Sequence, residues 1–222
     1  MKRSDLKAAI TRATASVDVR PHEASLEMRL EQRARLAAAR LAEQAADQGL
    51  LDVAYGSADS PFGPLLVAVT RRGLVRLSYP ERPVDEELEE LSKTVSPRIL
   101  YAPKATDEVR RELDEYFAGH RRSFDVPLDL SSVAGFRRRI LGATARIPFG
   151  AVRTYREVAT SAGNDRAVRA AGNALGSNPI PIVVPCHRVV RTGGGLGGYT
   201  GGLDRKRRLL QLEGALSAPL PV

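Results

Sequence analysis

The 222-residue chain carries 34 Lys and Arg against 26 Asp and Glu, a formal charge of +8, with 43% apolar residues and one cysteine. That length and composition suit one large or two small folded domains able to bury a core. A single cysteine excludes an intramolecular disulfide and any zinc or iron–sulfur site built from several cysteines, and no apolar run approaches the roughly 20 residues of a membrane span. The opening stretch MKRSDLKAAITRATASVD is polar beyond its first residues and unlike a secretory signal, so a cytoplasmic protein is expected. The charge is segregated. Residues 1–49 hold nine Lys/Arg and seven Asp/Glu, residues 50–133 eleven and fifteen, and residues 134–222 fourteen and four. Thirteen of those last fourteen cations are arginine, whose planar fork suits phosphate oxygens. Basic charge confined to one segment points to a polyanion partner, nucleic acid before any other.

In chain order, residues 23–48 read as a helix, with Leu26, Leu30, Ala34, Ala37 and Leu41 on one face and Gly49 as a stop. From Leu50 three short apolar or alternating runs, broken by Ser/Pro/Gly clusters and by Arg71-Arg72-Gly73, read as an antiparallel meander. VDEELEELSKTV and ATDEVRRELDEYFAG read as helices, the second capped at Thr106-Asp107 and ended by Gly119. From Ser132 the chain reads as helical. SSVAGFRRRILGATARIP forms a basic helix ending before Pro148, and TYREVATSAG a second that starts at Thr154 and stops at Gly163. Asn164-Asp165 then lead into RAVRAAGNALGSN. The last two helices match a helix-turn-helix outline. The second of them is almost without bulk, its long side chains being Arg166 and Arg169, and small residues suit close approach to a narrow minor groove as well as tight helix packing. The fold class expected is α/β: a helical extension 1–49, a small antiparallel-sheet-plus-helices domain 50–131, and a mainly helical domain 132–222 with a helix-turn-helix.

The chemistry concentrates in IPIVVPCHRVV, residues 180–190, which contains the single cysteine. A lone cysteine is more often a buried, inert packing residue. Cys186, however, is followed by His187 and Arg188, a candidate base and a positive field, and a thiol reacts only as its thiolate. Adjacent residues of an extended segment face opposite ways, so a Cys186–His187 link needs a local turn or a bridging water. Seven glycines within 193–202 allow backbone to approach a ligand closely, and Tyr199 and Thr200 among them are poor linker residues. The helix at about 204–213 is charged against its dipole: Lys206, Arg207 and Arg208 crowd its start and Glu213 its end. An external anion at the basic end and an internal cation or histidine at Glu213 would relieve both, which suggests a Cys–His–Glu relay.

IPIVVPCHRVV, IPFGAVRTYREVA, RAVRAAGNALGSNPIPIVVPCHRVV and GGLGGYTGGLDRKRRLLQLEG resemble, in order and spacing, the motifs of the O6-alkylguanine-DNA alkyltransferases, over about residues 50–215. The resemblance implies a ribonuclease-H-like fold for 50–131 and a DNA-binding alkyl-acceptor domain after it. It implies direct-reversal repair in which Cys186 irreversibly takes the alkyl group of O6-alkylguanine, and of O4-alkylthymine, in one turnover. His187 would deprotonate Cys186 through water, Glu213 would orient His187, Asn178 would shape the turn, and Tyr155 would cover the flipped base and assist its departure. Arg169 would fill the gap in the stack, with Ala170, Gly172 and Thr154 against DNA entered through the minor groove. The carbonyls of Cys186 and Val189, with groups near Tyr199 and Thr200, would recognise guanine. No cofactor and no metal are implied for a chain without further cysteines. A monomer is expected, with cooperative assembly on DNA open. The extension 1–49 has no counterpart in the family's two-domain core. A lesion-binding protein with an inert Cys186 is the alternative, and a cysteine hydrolase, which usually draws its Cys and His from distant segments, is less favoured.

Overall fold

The computed structural model describes residues 50–216 and, before them, positions 28–30, 32–34, 36–38, 40, 41, 44 and 45, all helical. Two units separate, residues 1–41 and 42–222. Of the face expected on the helix over 23–48, Leu30, Ala34, Ala37 and Leu41 are exposed; Leu26 and the stop at Gly49 lie outside the described residues.

Strands β1 (Val53–Ala58), β2 (Leu65–Thr70) and β3 (Gly73–Ser78) form the antiparallel meander. Between β2 and β3 only Arg71 and Arg72 turn the chain, and Gly73 at φ +127° has no room for a Cβ, which would lie 2.0 Å from the Pro127 carbonyl oxygen. A fourth strand, β4 (Ile99–Tyr101), was not legible in the sequence. It pairs parallel to β1 after helix α1 (Val84–Thr94), so the sheet is mixed, in the order β3-β2-β1-β4. Three residues beside Pro97 carry too little periodicity to announce a strand. The central β2 is apolar along nearly its whole length because both faces are covered. Val53, Ala68 and Val75 pack against Leu91 of α1 on one side. Leu65, Val67, Leu74 and Leu77 pack on the other side against Val109, Leu113 and Tyr116 of α2 (Asp107–Phe117). The cap expected at Thr106 is replaced by a 3₁₀ turn, Pro103–Thr106, in which the Thr106 hydroxyl donates back to the Pro103 carbonyl at 2.7 Å. Acidic Asp107 and Glu108 in the first turn of α2 complement the helix dipole instead.

The later half contains α3 (Gly135–Ala145), α4 (Tyr155–Ser161), α5 (Val168–Gly176) and α6 (Leu203–Leu212). A short parallel pair, β5 (Arg153–Thr154) and β6 (Val189–Val190), ties the start of α4 to the segment after Cys186. Thr154 caps α4 through a full capping box: Glu157 N–H donates to its hydroxyl oxygen at 3.2 Å and its own N–H donates to the Glu157 carboxylate at 2.6 Å. One continuous core joins the sheet and α2 to Ile140 and Leu141 of α3, Ala171 and Leu175 of α5, and Leu209 of α6. The free edge of β3 meets the segment before Cys186, where Leu77 N–H donates to the Pro179 carbonyl at 2.9 Å.

Candidate active site around Cys186

Residues 177–190 fold back on themselves between α5 and β6. Asn178 organises the turn. Its side-chain oxygen accepts from Ile180 N–H at 3.0 Å, and its amide donates to the Val184 carbonyl at 2.8 Å and to Cys186 Sγ at 3.1 Å. Within the turn Ile182 sits at φ +73°, the one non-glycine residue with positive φ among those described. A β-branched residue there is strained, and such strain persists only where the surroundings enforce it.

Cys186, His187 and Arg188 form a 3₁₀ turn, the local turn that adjacent residues need to serve one site. His187 is fully buried, with Nε2 2.9 Å from Glu213 Oε1. Arg188 forks onto the same carboxylate, Nε to Oε2 and Nη2 to Oε1, each at 2.8 Å, and the Tyr116 hydroxyl donates to Oε1 at 2.7 Å. Burial alone would raise the Glu213 carboxyl, but hydrogen bonds from His187 and Arg188 hold it at about 2. Glu213 is therefore a carboxylate, which assigns the His187 proton to Nε2. That leaves Nδ1 as a bare lone pair, and Nδ1 is buried with no hydrogen-bond partner. Desolvation lowers the His187 pKa, only partly offset by Glu213, so the imidazole is neutral and able to take a proton.

Burial pushes the Cys186 thiol up to about 11, against the Asn178 hydrogen bond and the charge of Lys206. Lys206 corrects the sequence reading. Expected at a basic helix start awaiting an external anion, it is fully buried, and its ammonium donates to the Val189 carbonyl at 2.5 Å and the Gly198 carbonyl at 3.4 Å. Its place on the inner face of α6, three and four residues before buried Leu209 and Leu210 and seven before Glu213, is the periodic signal that could have shown this. Among the described residues it has no carboxylate partner; desolvation lowers it to about 8, opposed by the charge that Cys186 can carry. The Lys206 ammonium thus works against burial and favours the Cys186 thiolate, and the thiolate in turn favours the charged lysine. Lys206→Met should therefore shift the rise of iodoacetamide reactivity toward higher pH. Superimposable pH profiles would contradict this coupling.

Two clefts meet at Cys186. One, of about 280 Å³, is lined by Tyr155, Gly172, Leu175, Gly198, Tyr199 and Thr200. The Tyr155 hydroxyl donates to the Gly198 carbonyl at 3.2 Å, and Gly197 (φ +71°) passes so close that a Cβ would lie 2.8 Å from that ring. Thr200 donates to the Gly176 carbonyl at 2.6 Å, and the Tyr199 hydroxyl meets the Tyr79 hydroxyl at 2.8 Å, which fastens the glycine-rich loop to α5 and to the end of β3. The other cleft, of about 380 Å³, runs toward Arg76, Arg82, Glu87 and Glu90. Arg169 and Ala170 stand exposed on α5, apart from both clefts. Thr154 is occupied as a cap. The Val189 side chain is buried, and the Cys186 and Val189 carbonyls already accept one hydrogen bond each, from Val189 N–H and Lys206. Sequence reasoning also missed Tyr116, which reaches Glu213 across 97 positions of chain with no local signal.

Residues 53–130 match the ribonuclease-like domain model of 6-O-methylguanine DNA methyltransferase, and residues 135–215 match its DNA-binding domain model. A methylated-DNA–protein-cysteine methyltransferase of Methanosarcina acetivorans is 39% identical over 161 residues, covering 72% of this chain and 98% of that one. The inducible enzyme of that name from Bacillus subtilis is 34% identical, over 70% of this chain and 87% of its own. The crystal structure of Mycobacterium tuberculosis OGT in complex with DNA superposes with a TM-score of 0.64 at 40% identity, covering 73% of this chain and 93% of that one.

Proposed function

The chain belongs to the 6-O-methylguanine DNA methyltransferase family, and on that premise we propose that Cys186 accepts, once per molecule, the alkyl group of an O6-alkylated guanine in DNA. The observation that carries this reading is that the chain's single thiol, held by Asn178, shares one 3₁₀ turn with a neutral His187 whose Nδ1 is buried and bare. Water bridging Sγ to Nδ1 passes the thiol proton to His187, and the Glu213 carboxylate stabilises the imidazolium formed. The Lys206 ammonium favours the thiolate. Sulfur attacks the alkyl carbon in line with its bond to O6: the S–C bond forms, the C–O bond breaks, and guanine leaves with the bonding pair. The proton that left Cys186 ends on the guanine, with the Tyr155 hydroxyl turned from Gly198 to donate to the departing ring. The thioether has no leaving group to return, so the molecule is spent. O4-alkylthymine offers the same kind of bond in a smaller ring and is the second substrate of this reading.

The target base enters the cleft under Tyr155, with α5 in the minor groove and the protein acting as a monomer. The small residues of α5 and its exposed Arg169 support this arrangement. Extruding a base costs a few kcal/mol, and a side chain filling the vacated stack offsets it. Arg169→Ala should therefore slow transfer from duplex DNA by about tenfold or more, and transfer from the free modified base by much less. Rates measured on both substrates test this, and an equal loss on each removes Arg169 from the role.

A further inference from the structure

The base cleft accounts for one approach to Cys186 and leaves the larger one unassigned. That second cleft passes between Tyr199, Thr200 and Gly201 on one side and the 176–181 turn on the other, and ends at Ser78, Arg76, Arg82, Glu87 and Glu90. At about 380 Å³ it is far roomier than a methyl group requires. Its charged groups are not equivalent. Arg76 and Arg82 are committed to Glu90, at 2.8 and 2.6 Å, and to Glu87, at 3.4 and 3.3 Å, so both carboxylates are already neutralised.

Arg137 of α3 is different. The Nε–H groups of Arg76 and Arg137 are both buried without a hydrogen-bond partner, but Arg76 faces the Glu87 carboxylate, whereas among the described residues Arg137 has no carboxylate partner and one Nη donates to the Ser177 carbonyl. Unmet buried donors are rare and costly. Its neighbours in the Arg137-Arg138-Arg139 run do not share this setting, since Arg138 is exposed and Arg139 donates to the Ala162 carbonyl and lies over the Phe136 ring. Ser177 immediately precedes Asn178, the residue whose amide holds Sγ. A permanently charged guanidinium without a carboxylate partner among the described residues thus lines the same cleft as the nucleophile.

We propose that this cleft receives the distal part of O6 substituents and that Arg137 selects those ending in a carboxylate. The inference rests on Cys186 being the alkyl acceptor. The step is unchanged: the S–C bond forms, the C–O bond breaks, guanine departs with the pair and takes the proton from sulfur, and the carboxyalkyl tail stays on Cys186 with its charge against Arg137. A carboxylate accepts two N–H bonds from an arginine fork, whereas the isosteric amide presents a single acceptor oxygen and no charge.

The test uses free nucleobases, which remove DNA phosphate as a competing anion. The unmodified protein and Arg137→Gln are each reacted with O6-(3-carboxypropyl)guanine and O6-(3-carbamoylpropyl)guanine, and the mass of the chain is followed over time, with O6-methylguanine as control. The unmodified protein should prefer the carboxylate about tenfold, and that ratio should fall to about one when divided by the ratio for a simple thiolate in solution and measured in the variant. A merely structural role for Arg137, holding Ser177, would slow both tails alike and leave the ratio intact, which overturns the proposal. So does a ratio near one in the unmodified protein, or a preference seen with duplex substrates and absent with free bases, which assigns Arg137 to phosphate. Failure of the unmodified protein to take methyl from O6-methylguanine in a duplex oligonucleotide, run in parallel, overturns the acceptor reading itself.

Discussion

Replacing Cys186 with alanine is expected to abolish alkyl transfer while the protein still folds and still binds DNA carrying the lesion. The sulfur is the only thiol in the chain, and no described side chain lines both clefts at the same point with comparable nucleophilicity. The structural cost is small. Asn178 is the one side chain that hydrogen-bonds the sulfur, and its amide keeps its bond to the Val184 carbonyl. Losing one such hydrogen bond costs about 1 kcal/mol. Binding to an oligonucleotide with O6-methylguanine, read by fluorescence anisotropy, should stay within a few fold of the parent while methyl transfer falls below detection. Residual transfer by the variant would show that another residue accepts the group.

The second large effect is on stability and comes from Glu213. Its buried carboxylate collects hydrogen bonds from His187, from two Arg188 nitrogens and from Tyr116. Glu213→Gln removes the charge and presents an amide N–H₂ to donors that need an acceptor. The Arg188 guanidinium, with its side chain 6% exposed, is then a buried cation without its counter-ion. Breaking such a pair costs about 3–5 kcal/mol, so urea midpoints should fall by an amount corresponding to that loss; a change under about 1 kcal/mol would contradict the account. The same group sets the acid response. Glu213 is held at about 2 against an ordinary 4.5, a lowered value in the folded state. Its contribution is therefore complete above about pH 4.5 and is lost as pH falls toward 2. In Glu213→Gln that part of the acid sensitivity disappears.

The sequence spoke most clearly where the physics is local. The Thr154 cap, the stop at Gly119 and the Arg71-Arg72 hairpin are each decided by a few neighbouring residues, and each is found in place. The short β4 was missed because its pairing with β1 is decided by partners over 40 positions away. At the site, the Cys186–His187 adjacency and Glu213 at a helix end were visible as a suggestion of a relay. That Arg188 and Tyr116 share the Glu213 carboxylate was not, since it depends on how α2 and α6 pack. Lys206 was misread because the run DRKRR looks like a solvated face, and only the helical period relative to Leu209, Leu210 and Glu213 marks one member as inward. Arg137 has no such mark in the sequence: three consecutive arginines become distinct only when α3 meets the 177–178 turn.

The central claim is that Cys186 itself keeps the alkyl group. The measurement that tests it most directly is intact-protein mass spectrometry, with peptide mapping, after mixing the full chain with an excess of duplex oligonucleotide containing O6-methylguanine. The account predicts a gain of one methyl group per chain, located on Cys186, with the amount of repaired guanine equal to the amount of protein and no further repair afterwards. Repair that continues beyond one equivalent, a methyl group found on another residue, or bound DNA with an unmodified chain would contradict it.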